Sequence, residues 1–315
     1  MDNILKDCDV LGIKNMPKQT IEFILNITQK MKTLLKNGKK EMKVLAGKSV
    51  AIVFYENSTR TRLSFELAAK YLGAHVVSMS VQGSSVAKGE SLEDTLDTIT
   101  RMAADVIIIR HPYSGTPSVM APFINIPIIN AGDGMNEHPS QALLDMYTIL
   151  ENKGHLDGLK VAIIGDIYHS RVARSNIYGL TKMGSHVVVA GPPTLIPSGI
   201  ENMGVEVSFD VEYAIKDADV VMGLRMQKER QNAGLVPSLS EYAYYFGINA
   251  QRLAMAKSDA ILMHPRPTNV GVEISYDIVY GPQSVISEQV TNGVAVRMAL
   301  LYLILEGSYN IENID

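Results

Sequence analysis

The sequence predicts an α/β protein made of two doubly wound parallel-sheet domains, and three observations carry that prediction. Short β-branched runs recur along the 315 residues. Each is followed by a turn and then by apolar residues at helical spacing, the alternation that a parallel sheet with crossover helices requires. The runs also form two series separated by one long helical segment, and a chain of 315 residues is ample for two cores.

The first element is a helix over 16–37. The first series of strands then reads SVAIVF (49–54), HVVSMS (75–80), DVIIIR (105–110) and IPIINA (126–131). After the first of these, Leu63, Leu67, Ala68, Tyr71 and Leu72 recur at helical spacing. The dividing helix is EHPSQALLDMYTILENKG, with Pro139 in its first turn, Leu143, Met146, Tyr147 and Leu150 on one face, and Gly154 to end it. The second series is KVAIIG (160–165), HVVVAG (186–191), EVSF (206–209), DVVMGL (219–224) and AILMH (260–264). A helix over 291–306 follows. The expected domains are 1–136 and 137–290, with 291–315 packing back on the first.

Composition limits the function. Apolar residues make up 46%, and 29 Lys and Arg stand against 33 Asp and Glu, so a nucleic-acid partner is not expected. Cys8 is the single cysteine, which excludes an internal disulfide and a cysteine metal cluster. The N-terminal MDNILKDCDVLG has no basic segment followed by an apolar run, and no apolar stretch is long enough to span a bilayer. The reading is a soluble cytoplasmic protein without a membrane partner.

In open α/β sheets ligands gather beyond the carboxyl ends of the strands, so the loops after each strand are where chemistry is expected. The first carries Ser58-Thr59-Arg60-Thr61-Arg62 into a helix start. Cations there oppose the helix dipole, whereas hydroxyls, N–H groups and the Arg60 fork together suit a phosphate. GxxxxGK[ST] is absent, so this is not a nucleotide P-loop. Arg62 has Glu66 one turn on as an alternative partner. Arg110 ends the third strand and could reach the same anion, or simply snorkel at the sheet edge.

NAGDGMNEHPSQALLD delivers His138 to a helix start with Gln141 one turn further, placing an oxyanion donor or a helix cap beside an amide. HEXXH spacing is missing, and no zinc site is expected. In VQGSSVAKGESLEDT, Ser84, Ser85 and Lys88 read as a lid over an anion or as a solvated connector. KVAIIGDIYHSRVARSN lacks GxGxxG, so no dinucleotide cofactor is expected. It does place Arg171 and Arg174 in the first helical turns, and Arg225 and Gln227 follow a later strand; arginine forks at both places suit carboxylates. Last, Pro265 and Pro267 bracket Arg266, giving a rigid turn whose carbonyls are available to ligand N–H groups.

STRTR, RHP, HPSQALLD, the R-x-Q-x-E-R segment and HPRP occur in one order over most of the chain. That set resembles the aspartate and ornithine carbamoyltransferase superfamily. Its ornithine branch typically has cysteine in HPCQ and HCLP, where this chain reads His138-Pro139-Ser140-Gln141 and His264-Pro265-Arg266-Pro267, so the resemblance is to the aspartate branch. It implies transfer of a carbamoyl group from carbamoyl phosphate to L-aspartate, with no metal, cofactor or covalent intermediate, in a cleft between the two domains.

By motif match, Ser58, Thr59, Arg60, Thr61 and Arg110 would hold the phosphate and His138 would donate to the carbonyl oxygen. Gln141 and the carbonyls of Pro265 and Arg266 would take the carbamoyl NH2, and Arg171, Arg225 and Gln227 would bind aspartate. The resemblance also implies a homotrimer with shared sites, Ser84 and Lys88 coming from the neighbour. It leaves open association with a regulatory chain or with dihydroorotase. Asn57, Arg266 and Val270 depart from the family pattern. Two alternatives stay open: a carbamoyltransferase for a different amino acceptor, and a catalytically silent anion-binding or assembly subunit.

Overall fold

The computed structural model describes residues 5–80, 89–227 and 235–306. The contacts divide it into two compact units. One runs to Leu143 and resumes at Thr291; the other is Leu144–Val290.

In the first unit α1 (Lys18–Lys36) precedes β1 (Ser49–Phe54), α2 (Thr59–Tyr71), β2 (His75–Ser80), α3 (Leu92–Arg101), β3 (Val106–His111), α4 (Thr116–Met120) and β4 (Ile128–Asp133). All strand pairs are parallel, in the order β2-β1-β3-β4. Ala51, Val53, Leu96, Ile107, Ile109, Met120 and Ile128 form a buried apolar cluster on this sheet. The fourth strand starts two residues later than the sequence suggests, because Pro127 has no N–H for the ladder and contributes only its carbonyl, to Ile107. Along β4 lies a contact the strand pattern did not reveal: Val10 bridges Ile129 in parallel.

Helix α5 (Pro139–Lys153) leads into the second unit, which contains β5 (Lys160–Ile164), α6 (Arg171–Lys182), β6 (His186–Ala190), β7 (Glu206–Ser208), α7 (Val211–Ile215), β8 (Val220–Gly223), α8 (Leu239–Phe246), α9 (Ala250–Leu253), β9 (Ile261–Met263) and α10 (Tyr276–Val279). Its sheet is again parallel, ordered β7-β6-β5-β8-β9. The last helix, α11 (Ile286–Leu305), begins five residues before the predicted 291. Its later part lies in the first unit, where Arg297 sits 4.9 Å from the Phe65 ring and the Ile304 carbonyl accepts from the Asp7 N–H.

Both sheets are doubly wound, so each has a switch point where the chain leaves a central strand in opposite directions. In the first sheet it lies between β1 and β3; in the second, between β5 and β8. Loops after these strands form the crevice that parallel sheets offer to ligands. Among the described residues, no helix is long and apolar enough to cross a membrane.

Candidate active site

At the first switch point Phe54 is in register with Arg110, and the Tyr55 N–H donates to the Arg110 carbonyl at 2.8 Å. Arg110 is therefore drawn to the loop that leads into α2. Its Nε pairs with Glu56 Oε2 at 3.1 Å, and Nη1 reaches the Ala131 carbonyl at 3.4 Å. Ser58 occupies the N-cap position of α2, yet its side chain makes no capping bond. The serines before α3, α6 and α8 do cap, each accepting an N–H three residues on. An uncapped helix start suits an external acceptor for its first-turn N–H groups. Arg60 and Thr59 are exposed and Thr61 is buried, whereas Arg62 pairs with Glu66 at 3.0 Å. The two arginines of this turn thus differ: one is held along the helix, the other stands at its opening.

The loop after β4 is stiffened by buried polar residues that the sequence reading did not single out. Asn130 donates to the Leu11 carbonyl and to Asp133 Oδ1, and its own Oδ1 accepts from the Gly132 N–H. Asp133 accepts from the N–H groups of Gly115 and Glu137 and from Asn136 Nδ2. Gly134 has φ +47°, and a Cβ there would collide with Ser114. This framework delivers His138, which is buried, to the start of α5, where its carbonyl accepts from the N–H groups of Gln141 and Ala142. Beside Arg110, burial lowers the pKa of His111, whose Nδ1 accepts from the Tyr113 N–H.

Glu137, 4% exposed, accepts from the N–H groups of Ile13 at 2.7 Å and Lys14 at 3.1 Å. Removing a buried charged acceptor strands both donors, so Glu137→Ala is expected to cost about 2–4 kcal/mol of stability. Urea unfolding of the variant, read as a shift in midpoint at constant slope, checks it.

At the second switch point, Ile164 aligns with Gly223. From Leu224 to Gln227 burial alternates: Leu224 and Met226 are buried, while Arg225 and Gln227 are half-buried on the opposite side. Met226 packs with Leu195 and Tyr242. Arg171 opens α6, 5% exposed. Asp166, fully buried, joins the two loops: His169 Nδ1 lies 2.9 Å from its Oδ1, and the Gln227 N–H reaches its Oδ2 at 3.4 Å.

The turn after β9 holds Pro265, Arg266 and Pro267, with a cis Arg266–Pro267 bond and Arg266 at φ +54°. A non-glycine residue in that region is uncommon and clusters at functional sites.

Ser58, Thr59, Arg60, Thr61, Arg110, His138 and Gln141 belong to the first unit, and Arg171, Arg225, Gln227, Pro265 and Arg266 to the second. Ser84, Ser85 and Lys88 lie outside the described residues, as do the last three residues of the R-x-Q-x-E-R segment. Among the described residues no group of three or more His, Cys, Asp or Glu is placed to hold a metal ion.

Parallel doubly wound units with arginine-bearing switch-point loops define the class: a two-unit α/β protein whose loops suit small anions. More narrowly, the chain belongs to the aspartate/ornithine carbamoyltransferase family. Residues 8–151 match the family's carbamoyl-P binding domain and 157–304 its Asp/Orn binding domain. The aspartate carbamoyltransferase catalytic subunit of Caldanaerobacter subterraneus subsp. tengcongensis is 61% identical over 298 residues, covering 95% of this chain and 98% of the relative. That of Acetivibrio thermocellus is 59% identical over 301 residues, 96% of each.

Among solved structures, Trypanosoma cruzi aspartate transcarbamoylase in complex with N-(phosphonacetyl)-L-aspartic acid superposes with a TM-score of 0.88 at 31% identity, covering 96% of this chain and 97% of the other. Pyrococcus furiosus ornithine carbamoyltransferase gives 0.86 at 31% identity, covering 96% and 99%.

Proposed function

We propose that the chain is an aspartate carbamoyltransferase: it moves the carbamoyl group of carbamoyl phosphate to the amine of L-aspartate, giving N-carbamoyl-L-aspartate and phosphate. This is the committed step of de novo pyrimidine, and so UMP, biosynthesis. The observation that carries the reading is the pairing of an uncapped, arginine-bearing helix start at one switch point with Arg171, Arg225 and Gln227 around the other. A dianionic donor and a dicarboxylate acceptor each require such cations. Identity of 59% and 61% over 96% and 95% of the chain to catalytic subunits of that name supports the choice of acceptor.

In this reading Ser58, Thr59, Arg60, Thr61 and Arg110 hold the phosphate. Gln141 and the carbonyls of Pro265 and Arg266 take the carbamoyl NH2 and so orient the carbonyl carbon. Arg171, Arg225 and Gln227 hold both aspartate carboxylates with the amine facing that carbon. As the amine attacks, charge grows on the carbonyl oxygen and His138 donates to it. The C–O bond to phosphate then breaks, and the departing phosphate takes the amine proton. No metal or cofactor enters the scheme. The chain acts as a cytoplasmic homotrimer, Ser84 and Lys88 of each subunit completing the neighbour's site; a regulatory chain or dihydroorotase could join that assembly.

Carbamoyl transfer measured with aspartate, with ornithine and without acceptor tests the reading. Activity is expected with aspartate alone. Equal rates with ornithine would overturn the acceptor, and no transfer to either would leave a silent anion-binding subunit.

A further inference from the structure

We infer that Asp145 and Gln289 are positioning residues for the reaction proposed above, acting through His264 to aim the Pro265 carbonyl; the inference rests on that reading of the Pro265–Arg266 turn. A continuous line of hydrogen bonds, buried up to His264 and part-buried at its last step, leads to this turn from the middle of α5. Asp145, fully buried, accepts from Asn176 Nδ2 of α6 at 2.8 Å and from Gln289 Nε2 of α11 at 2.8 Å. Gln289 Oε1 accepts the His264 N–H at 2.9 Å, and His264 Nδ1 accepts the Arg266 N–H at 2.9 Å. Gln289 and His264 are themselves 3% and 1% exposed.

The line has one workable direction. A carboxylate only accepts, so Asp145 obliges Gln289 to present its NH2, and this turns the amide oxygen toward His264. The Arg266 N–H likewise obliges Nδ1 to carry the lone pair, which places the imidazole proton on Nε2. That atom faces Glu273 Oε1 at 3.4 Å, a long contact, and Oε1 also accepts the Asn269 N–H at 2.6 Å. Both limbs of the turn are therefore held from the buried side.

The consequence for chemistry follows from the planar peptide. In the trans Pro265–Arg266 unit the N–H and C=O point opposite ways, so tying the Arg266 N–H to His264 aims the Pro265 carbonyl away from the imidazole. Arg266 at φ +54° would not hold that orientation unaided. A core that needed only volume would place an apolar pair at 145 and 289, since burying a carboxylate is costly. The polar line supplies what an apolar pair lacks, a fixed rotation of one peptide plane.

The test uses Asp145→Asn, Gln289→Glu and both together, in the full chain. Gln289→Glu mismatches the line by setting carboxylate against carboxylate, and Asp145→Asn by setting its new NH2 against the NH2 of either Gln289 or Asn176. Together they restore it in reverse, with the new amide at position 145 donating to the new carboxylate at position 289. Each single variant is expected to lose about tenfold to a hundredfold in kcat/KM for carbamoyl phosphate, the range found for residues that orient a site from behind.

Inhibition by inorganic phosphate, which carries no NH2, is expected to stay within about twofold, and the double variant to recover most of the loss. If a single variant does not fold, Gln289→Met, which deletes both bonds at similar length, carries the same test. Unchanged kcat/KM, a parallel loss of phosphate inhibition, or no recovery in the double variant each overturns the inference. The wild-type chain in the same assay keeps the two claims apart. If it makes no carbamoyl aspartate the functional reading fails, whereas an active wild type with indifferent variants removes this inference alone.

Discussion

A His138→Ala variant is expected to lose about a hundredfold to a thousandfold in kcat, with the KM values for carbamoyl phosphate and aspartate changed by no more than about threefold. The split follows from where charge appears. In bound carbamoyl phosphate the carbonyl oxygen is nearly neutral, so a donor beside it contributes little to binding; when the amine adds, the oxygen becomes anionic and the same donor matters far more. His138 suits this role because it is placed rather than adjustable. It is buried, its carbonyl is committed to the first turn of α5, and the loop before it is tied down by Asn130 and Asp133. His138→Gln, which keeps a donor on a longer arm, should fall between. Steady-state kinetics of the two variants decide it: a loss under about threefold in kcat for the alanine variant would remove His138 from the chemical step.

Much of this arrangement was legible in the sequence, for identifiable reasons. Fully buried parallel strands are apolar runs, and the nine runs read from the sequence are, among the described residues, the nine strands of the two sheets. Arginines in first helical turns stood out because they oppose the dipole, and Arg62–Glu66 is an i, i+4 pair that sequence spacing alone suggests. Short helices such as α9 and α10, four residues each, carry too few positions to show a period.

The supporting polar residues were harder still. Asp145 stands in ALLDMYTIL as the one charge in an apolar stretch, a visible anomaly, but its partners Asn176 and Gln289 lie 31 and 144 residues away. Glu137 stands unremarked at the head of EHPSQALLDMYTILENKG, where nothing local marks it, whereas it binds backbone 123 and 124 residues earlier. Local pattern reports period and charge. It does not report which distant backbone a side chain will satisfy.

The second large effect concerns assembly. Arg60→Ala and Lys88→Ala chains, each inactive alone, should together recover about a quarter of wild-type specific activity when mixed in equal amounts and reassembled. In the proposed homotrimer every site takes Arg60 from one subunit and Lys88 from the next. A mixed trimer has an intact site wherever a Lys88→Ala chain, which keeps Arg60, is followed by an Arg60→Ala chain, which keeps Lys88. Random mixing gives that order at about one site in four. Helix α2 supports the placement: Leu63 and Leu67, one turn apart and 50% and 40% exposed in the single chain, lie just beyond Arg60 as an apolar strip suited to a partner.

A charged Lys88 arriving across such a contact would reach the phosphate beside the α2 start, where losing one desolvated cation costs about 2–5 kcal/mol of hold on the anion and takes turnover close to background. Recovery should track the fraction of mixed species, read by native mass spectrometry after pairing with a charge-tagged chain. Mixed trimers verified in this way that remain inactive would mean that each chain furnishes both residues itself, and the shared site would be wrong even if the chemistry were right.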